Sequence, residues 1–222
     1  MIRVKICGIR TEGEAVAAAE AGVNAIGLIF APGRRQIDAA QARQIARALP
    51  PFVTKVGVVV NEPLSRLRAL IDHVRLDAIQ LHGDETPEDC AAVQDLGVTV
   101  IKAIPVSGPL DVVALGTLPV DAVLLDTHRP GVRGGTGETF DWALATPAAR
   151  FIRVILSGGL TPQNVADGVR IVRPYAVDAS SGTETDGRKD PEKIRAFIAR
   201  ARAADAALAG APGHSTQEQV QS

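Results

Sequence analysis

Two groups in this chain suit proton transfer: a thiol ending the run Arg3-Val4-Lys5-Ile6-Cys7-Gly8, and a carboxylate ending the run Val123-Leu124-Leu125-Asp126. In an extended strand Ile2, Val4 and Ile6 share one face, and Arg3, Lys5 and Cys7 share the other. If the apolar face packs on a helix layer, Lys5 and Cys7 point inward. A free thiol has a pKa of about 8.5 and is scarcely ionised at neutral pH, so its use as a base requires help. Lys5, two residues away on the same face, is expected to lower that pKa. Cys7 is therefore either a poised base or a small buried space-filler. For Asp126, burial is expected to raise the pKa and let the carboxyl hold a proton as a general acid. Its competing role is a helix cap or an ion pair with Arg129 or Arg133.

Two further segments suit anion binding. SGGLTPQNV places Gly158 and Gly159 just before a helical pattern, and DASSGTE carries Ser180, Ser181 and Gly182 after Asp178. Glycine lets a ligand approach the backbone closely, and free amides with serine hydroxyls cradle a phosphate. APGRRQI offers Arg34 and Arg35, whose guanidinium forks suit a carboxylate. His82 ends the run Gln80-Leu81-His82, where it either meets a ligand or caps a loop. HRPGVRGGTGETFDW is a long, glycine-dense loop of the kind that closes over a ligand, and no Walker-type Gly-Lys-Ser/Thr follows it.

These residues need a frame that gathers strand ends. Eight apolar runs qualify as strands: RVKICG, AIGLIF, VTKVGVVV, AIQLH, TVIKAIP, AVLLDT, IRVILSGG and AVDASSG. Helical patterns lie between them, and Thr161-Pro162 and Asp190-Pro191 each read as an N-cap followed by a first-turn proline. Near-continuous Val/Ile/Leu strands alternating with helices imply a parallel sheet covered by helices. Eight such units predict a single (β/α)₈ TIM barrel over residues 1–209, with eight parallel strands inside an outer ring of helices. An open doubly wound sheet is the alternative, but no G-x-G-x-x-G follows the first strand. In a barrel the active site sits at the C-terminal strand ends, where the polar residues above collect. Residues 210–222 are polar and pattern-free, and are expected to form a disordered tail.

Composition narrows the partners. The 222 residues are 46% hydrophobic, enough for a large core, and the formal net charge of −1 carries no basic stripe for a nucleic-acid backbone. Aromatic residues are too few for a base-stacking platform. No apolar run approaches a membrane span, and MIRVKICG does not resemble a secretory signal. Cys7 and Cys90 are too few for a disulfide framework, and Cys90 falls in a helical pattern as a small buried residue. A cytoplasmic protein acting on a small molecule, without nucleic-acid or membrane partners, is expected.

In order along the chain stand KICGI, QLHG, LLDT, GGTG followed by TFDW, LSGGL, and VDASSGTE followed by GRKD. Together they resemble the phosphoribosylanthranilate isomerases of tryptophan biosynthesis, from about Arg3 to Ala201. The resemblance implies a cofactor-free, metal-free Amadori rearrangement of a phosphosugar, by a monomer or homodimer. By similarity Cys7 is the general base and Asp126 the general acid. Gly158, Gly159, Ser180, Ser181 and Gly182 bind phosphate, Arg35 faces the anthranilate carboxylate, and Lys5, His82 and Asp178 belong to the substrate pocket. The chain departs from the family in PGRRQI, which is one residue short and lacks a serine, and in Ala179 and Thr183, where valines are usual. Three rivals compete. A metal-dependent epimerase needs His and Asp ligands at several strand ends, and the histidine-pathway isomerase of this fold uses two aspartates. A non-catalytic phosphate sensor needs no paired acid and base.

Overall fold

The computed structural model describes residues 1–127 and 139–210, and in it each of the eight apolar runs contains a strand. In chain order the elements are β1 (Arg3–Cys7), α1 (Glu12–Glu20), β2 (Ala25–Ile29), α2 (Ala39–Ala48), β3 (Thr54–Val59), α3 (Leu64–Val74), β4 (Ala78–Leu81) and α4 (Pro87–Gln94). They continue with β5 (Thr99–Val106), α5 (Val112–Thr117), β6 (Ala122–Thr127), α6 (Thr146–Ala149), β7 (Val154–Leu156), α7 (Val165–Val172), β8 (Ala176–Ala179) and α8 (Pro191–Gly210). The strands pair in parallel in sequence order, and β8 returns to β1 to close the barrel. The fold is the expected (β/α)₈ barrel.

Strand alternation divides the core in two. Val4, Ile6, Ile26, Leu28, Val123 and Leu125 face outward and pack with the helices in one large cluster. The alternate residues, Val56, Ala78, Ile101, Ala103, Ala122, Leu124, Ile155 and Ala176, form a separate inner cluster. Small alanines are frequent there because all eight strands converge on one narrow space. On four of the strands, the same inward face turns polar two residues further along. Ala78 gives way to Gln80, Leu124 to Asp126, Ile155 to Ser157 and Ala176 to Asp178, all four of them buried. On β1 the inward pair is Lys5 then Cys7.

Local chemistry sets the helix starts. Thr11, Asp38 and Asp111 each accept a hydrogen bond from a first-turn amide, and Thr86 with Asp89 forms a capping box ahead of α4. Asp190 Oδ1 accepts from the Glu192 and Lys193 amides, so Asp190-Pro191 does begin α8. Thr161-Pro162 does not begin α7. Thr161 Oγ1 accepts from the Gln163 amide while the Thr161 amide donates to Asn164 Oδ1, which closes a local turn, and the helix starts at Val165. The last two strands are shorter than their apolar runs: SGG after β7 forms a turn, and Ser181–Thr183 is a single turn of 3₁₀ helix. The helix α8 runs through Gly210, and the expected tail beyond it lies outside the described residues.

The closing seam carries a buried charge pair. Lys5 on β1 stands in register with Asp178 on β8, and Lys5 Nζ donates to Asp178 Oδ1 at 2.8 Å. Both side chains are nearly inaccessible, at 4% and 6%. Removing one partner strands the other in the interior. Lys5→Met should therefore destabilise the protein by about 3–5 kcal/mol in chemical denaturation, and adding Asp178→Asn should recover much of the loss. A single variant as stable as wild type would show that the pair does not hold the seam.

Candidate active site

The polar ends of the inward strand faces open into one cavity of about 430 Å³, lined by Cys7, Arg35, His82, Asp126, Asp178 and Ser180 among others. Six of the expected site residues are thus brought together. Lys5 is not in the lining; its ammonium sits below, committed to Asp178. Lys5, expected among the substrate contacts, is thus not brought to the cavity lining.

Cys7 stands beside Gly27 of β2. A methyl at Gly27 would lie 2.6 Å from Cys7 Sγ and 3.0 Å from its Cα, so only glycine leaves room for the thiol there. Burial is the largest influence on Cys7 and pushes its pKa above the ordinary thiol value. Lys5 and Lys189 pull it down and Asp178 pushes it up. Lys5 thus acts in the expected direction, but desolvation outweighs it and the net shift is upward. The reason is geometric: the lysine charge is already neutralised by Asp178 at the same depth.

Asp126 is the penultimate residue of β6 and is 7% exposed. Its Oδ1 accepts from the Thr127 amide at 2.8 Å, and its Oδ2 lies 3.5 Å from His82 Nε2. Gln80 Nε2 lies 2.9 Å from His82 Nδ1. Arg129 and Arg133, the alternative partners for Asp126, lie outside the described residues, as does most of the glycine-dense loop after β6.

Arg35 spans the other side of the cavity, its stem over Gly8. Its Nε and Nη2 donate to Glu184 at 2.6 and 2.9 Å, a side-on bidentate pair. Arg34 adds an exposed contact to the same carboxylate at 3.3 Å. Lys189 Nζ donates both to Glu184 and to the Ser180 carbonyl, each at 2.9 Å. Burial alone would raise the Glu184 carboxyl, but Arg35 and Lys189 outweigh it and hold its pKa at about 2. This network ties the loop after β2 to the loop after β8.

The expected anion loops lie side by side. Gly158 and Gly159 turn the chain after β7 at φ of 80° and 64°. A side chain at Gly158 would strike the Thr127 amide at 2.8 Å, so the turn sits directly against the Asp126 strand end. Gly182 packs on Leu160 and Thr161 of that same turn, and Ser181 begins the short 3₁₀ helix. The Ser180 hydroxyl oxygen is buried and has no hydrogen-bond partner among the described residues. Among the described residues, no group of three or more His, Cys, Asp or Glu is placed to hold a metal ion. No helix among them is long and apolar enough to cross a membrane.

Sequence reasoning gave no role to Gln80, Ser157, Glu184 or Lys189, all of which the site contains. Gln80 had one signal, its place on β4 two residues before His82, which lies just past the strand end. Glu184 had none, since its partner Arg35 is 149 positions away.

Two titrations follow from this electrostatic arrangement. In a Cys90→Ala background, the Cys7 thiol should ionise above the ordinary thiol range, read from thiolate absorbance, and Lys5→Met should move it higher still. An unchanged value in Lys5→Met would remove Lys5 as an influence. For Glu184, the unfolded chain takes up a proton near 4.5, whereas the folded protein keeps the group ionised to about 2. The network therefore contributes fully above that unfolded value, and its contribution fades as pH falls toward the folded one. The Tm advantage of wild type over Glu184→Gln should be present at neutral pH and shrink across that window; a pH-independent difference would contradict the assignment.

The model of the N-(5′-phosphoribosyl)anthranilate (PRA) isomerase family matches residues 4–200. The chain is 48% identical over 207 residues to an N-(5′-phosphoribosyl)anthranilate isomerase of Moorella thermoacetica, covering 92% of each chain. Among solved structures, the phosphoribosylanthranilate isomerase of Thermotoga maritima superposes with a TM-score of 0.84 at 42% identity, over 91% of this chain and all of that one. A phosphoribosylanthranilate isomerase in complex with reduced 1-(o-carboxyphenylamino)-1-deoxyribulose 5-phosphate superposes at 0.81 and 40% identity, again over 91% of this chain and 100% of the other. With a barrel, a strand-end cavity and this similarity over nearly its whole length, the chain belongs to the N-(5′-phosphoribosyl)anthranilate isomerase family, the isomerases of tryptophan biosynthesis.

Proposed function

We propose that this chain converts N-(5′-phosphoribosyl)anthranilate to 1-(2-carboxyphenylamino)-1-deoxyribulose 5-phosphate by acid–base catalysis, with Asp126 as the acid and Cys7 as the base. The strand order carries this reading. Cys7 ends β1 and Asp126 lies one residue before the end of β6, and the two strands between them, β7 and β8, carry the glycine and serine loops. A phosphate held by Gly158, Gly159, Ser180, Ser181 and Gly182 sets the sugar between acid and base. The buried Ser180 hydroxyl, without a partner among the described residues, supports this assignment.

Asp126 gives its proton to the furanose ring oxygen. The C1′–O4′ bond breaks and the nitrogen lone pair forms a protonated imine. That imine acidifies C2′, whose proton goes to the Cys7 thiolate as the electrons form an enolamine. Protonation at C1′ and loss of the 2′-hydroxyl proton then give the ketone. Asp126 has lost a proton and Cys7 has gained one, so a return transfer through solvent restores the site. At the aromatic end, Glu184 occupies two of the five Arg35 N–H groups. The end-on fork remains for the anthranilate carboxylate. His82 and Asp178 line the sugar pocket.

The reaction needs no cofactor or metal in this scheme, and the chain is placed in the cytoplasm. We take its assembly to be a monomer or homodimer; a Thermotoga maritima relative is described as dimeric, and sedimentation velocity distinguishes the two. The deciding experiment is turnover of phosphoribosylanthranilate with and without chelator. Wild type should turn over equally in both. Cys7→Ser and Asp126→Asn should each keep ligand binding and lose about 10²- to 10⁴-fold in kcat. Near-normal turnover in either variant removes that residue from its role, and chelator sensitivity revives the metal-dependent epimerase reading.

A further inference from the structure

Gln80 takes no part in the reaction as written, yet it is the most enclosed polar side chain facing the cavity, at 1% exposure. Its Nε2 meets His82 Nδ1 at 2.9 Å, and the opposite ring nitrogen, Nε2, faces Asp126 Oδ2 at 3.5 Å. Gln80 Oε1 is buried with no partner among the described residues. We propose that Gln80 is a positioning residue: its amide fixes the His82 tautomer so that a ring N–H points at the oxygen of Asp126 that is left charged after proton donation.

An amide nitrogen only donates, so Nδ1 of the neutral ring must accept and the ring proton must sit on Nε2. One argument supports this orientation of the amide. Turning it over would put the proton on Nδ1 and aim the bare lone pair of Nε2 at the Asp126 carboxylate. With Nε2 protonated, the ring stabilises the Asp126 carboxylate as it forms, and so favours the transfer that opens the sugar ring. The chain Gln80–His82–Asp126 thus runs from β4 across the cavity to β6, and it rests on the proposed role of Asp126 as the acid.

The tautomer is directly measurable in the intact wild-type protein. With ¹⁵N-labelled histidine at a pH where the ring is neutral, and with His82→Phe used to assign the signals, His82 should show a pyridine-type Nδ1 and a pyrrole-type Nε2. The reverse pattern overturns the proposal, whatever any variant does. Gln80→Met keeps the side-chain volume and removes both the donor and the orphaned carbonyl. It should keep the wild-type melting behaviour and lower kcat by roughly tenfold, a part of what a general acid contributes, with little change in KM. In a His82→Phe background the same substitution should add almost nothing, because its effect passes through the ring. Losses that multiply, or an unchanged kcat in Gln80→Met, overturn the proposal. Near-normal turnover in Asp126→Asn would instead remove the acid assignment while leaving the tautomer result standing.

Discussion

The ion pair between Lys5 and Asp178 joins the first strand to the last at the depth where the barrel interior changes from apolar to polar. Below it the inward layer is alanine, valine, leucine and isoleucine; above it lie Cys7, Asp126 and Ser157. A buried pair of this kind rarely improves stability over a hydrophobic one, but breaking it is expensive, so it acts as a register lock. Parallel strands have few other means of fixing register when both faces are buried and apolar. In this barrel the lock sits directly beneath the thiol, and Ser157, just past the end of β7, adds a hydrogen bond to the same aspartate at 3.3 Å. Three neighbouring strands are thereby tied together around Cys7.

The same burial that makes the lock costly to break governs the thiol. Two lysines favour the thiolate, yet each is already matched, Lys5 by Asp178 and Lys189 by Glu184. What reaches Cys7 is a residual field, insufficient to offset desolvation. In the role proposed for Cys7, the consequence is a base that is scarce as thiolate but strong when formed, since basicity rises with pKa. The matched lysines limit that scarcity. A lysine without its carboxylate would lower the thiol pKa further and weaken it as a base for a carbon-bound proton.

Legibility in the sequence followed the range of the interactions. The barrel could be read because alternation and helix punctuation are local, and Cys7 and Asp126 because a polar residue ending an apolar run is a local anomaly. Thr161-Pro162 misled for the same reason: the side-chain geometry that caps a helix also closes a turn, and only the turn of the following residues decides between them. Arg35 was legible as a residue but not as half of a pair. Its partner Glu184 arrives from the far end of the chain, and Lys189 joins through a short antiparallel ribbon of Glu184–Thr185 with Arg188–Lys189. Gln80 was hidden in another way. A neutral amide leaves no trace in charge or periodicity, and its meaning depends on the ring two residues later and on a carboxylate from another strand.

Two of the buried polar atoms without partners among the described residues, Gln80 Oε1 and the Ser180 hydroxyl, belong to residues lining the cavity. Each unmade hydrogen bond in a buried position costs about 1–3 kcal/mol, and a core optimised for stability alone would replace both with apolar groups of similar shape. Their presence at the strand ends, above an inner cluster free of such defects, separates the barrel into a part that folds and a part that waits for a ligand. The Ser180 hydroxyl can be satisfied by an anion oxygen. The Gln80 carbonyl belongs to a side chain whose amide nitrogen is turned to His82, so its cost is set against the orientation of that ring. Each orphaned atom thus marks a residue kept for the site rather than for the core.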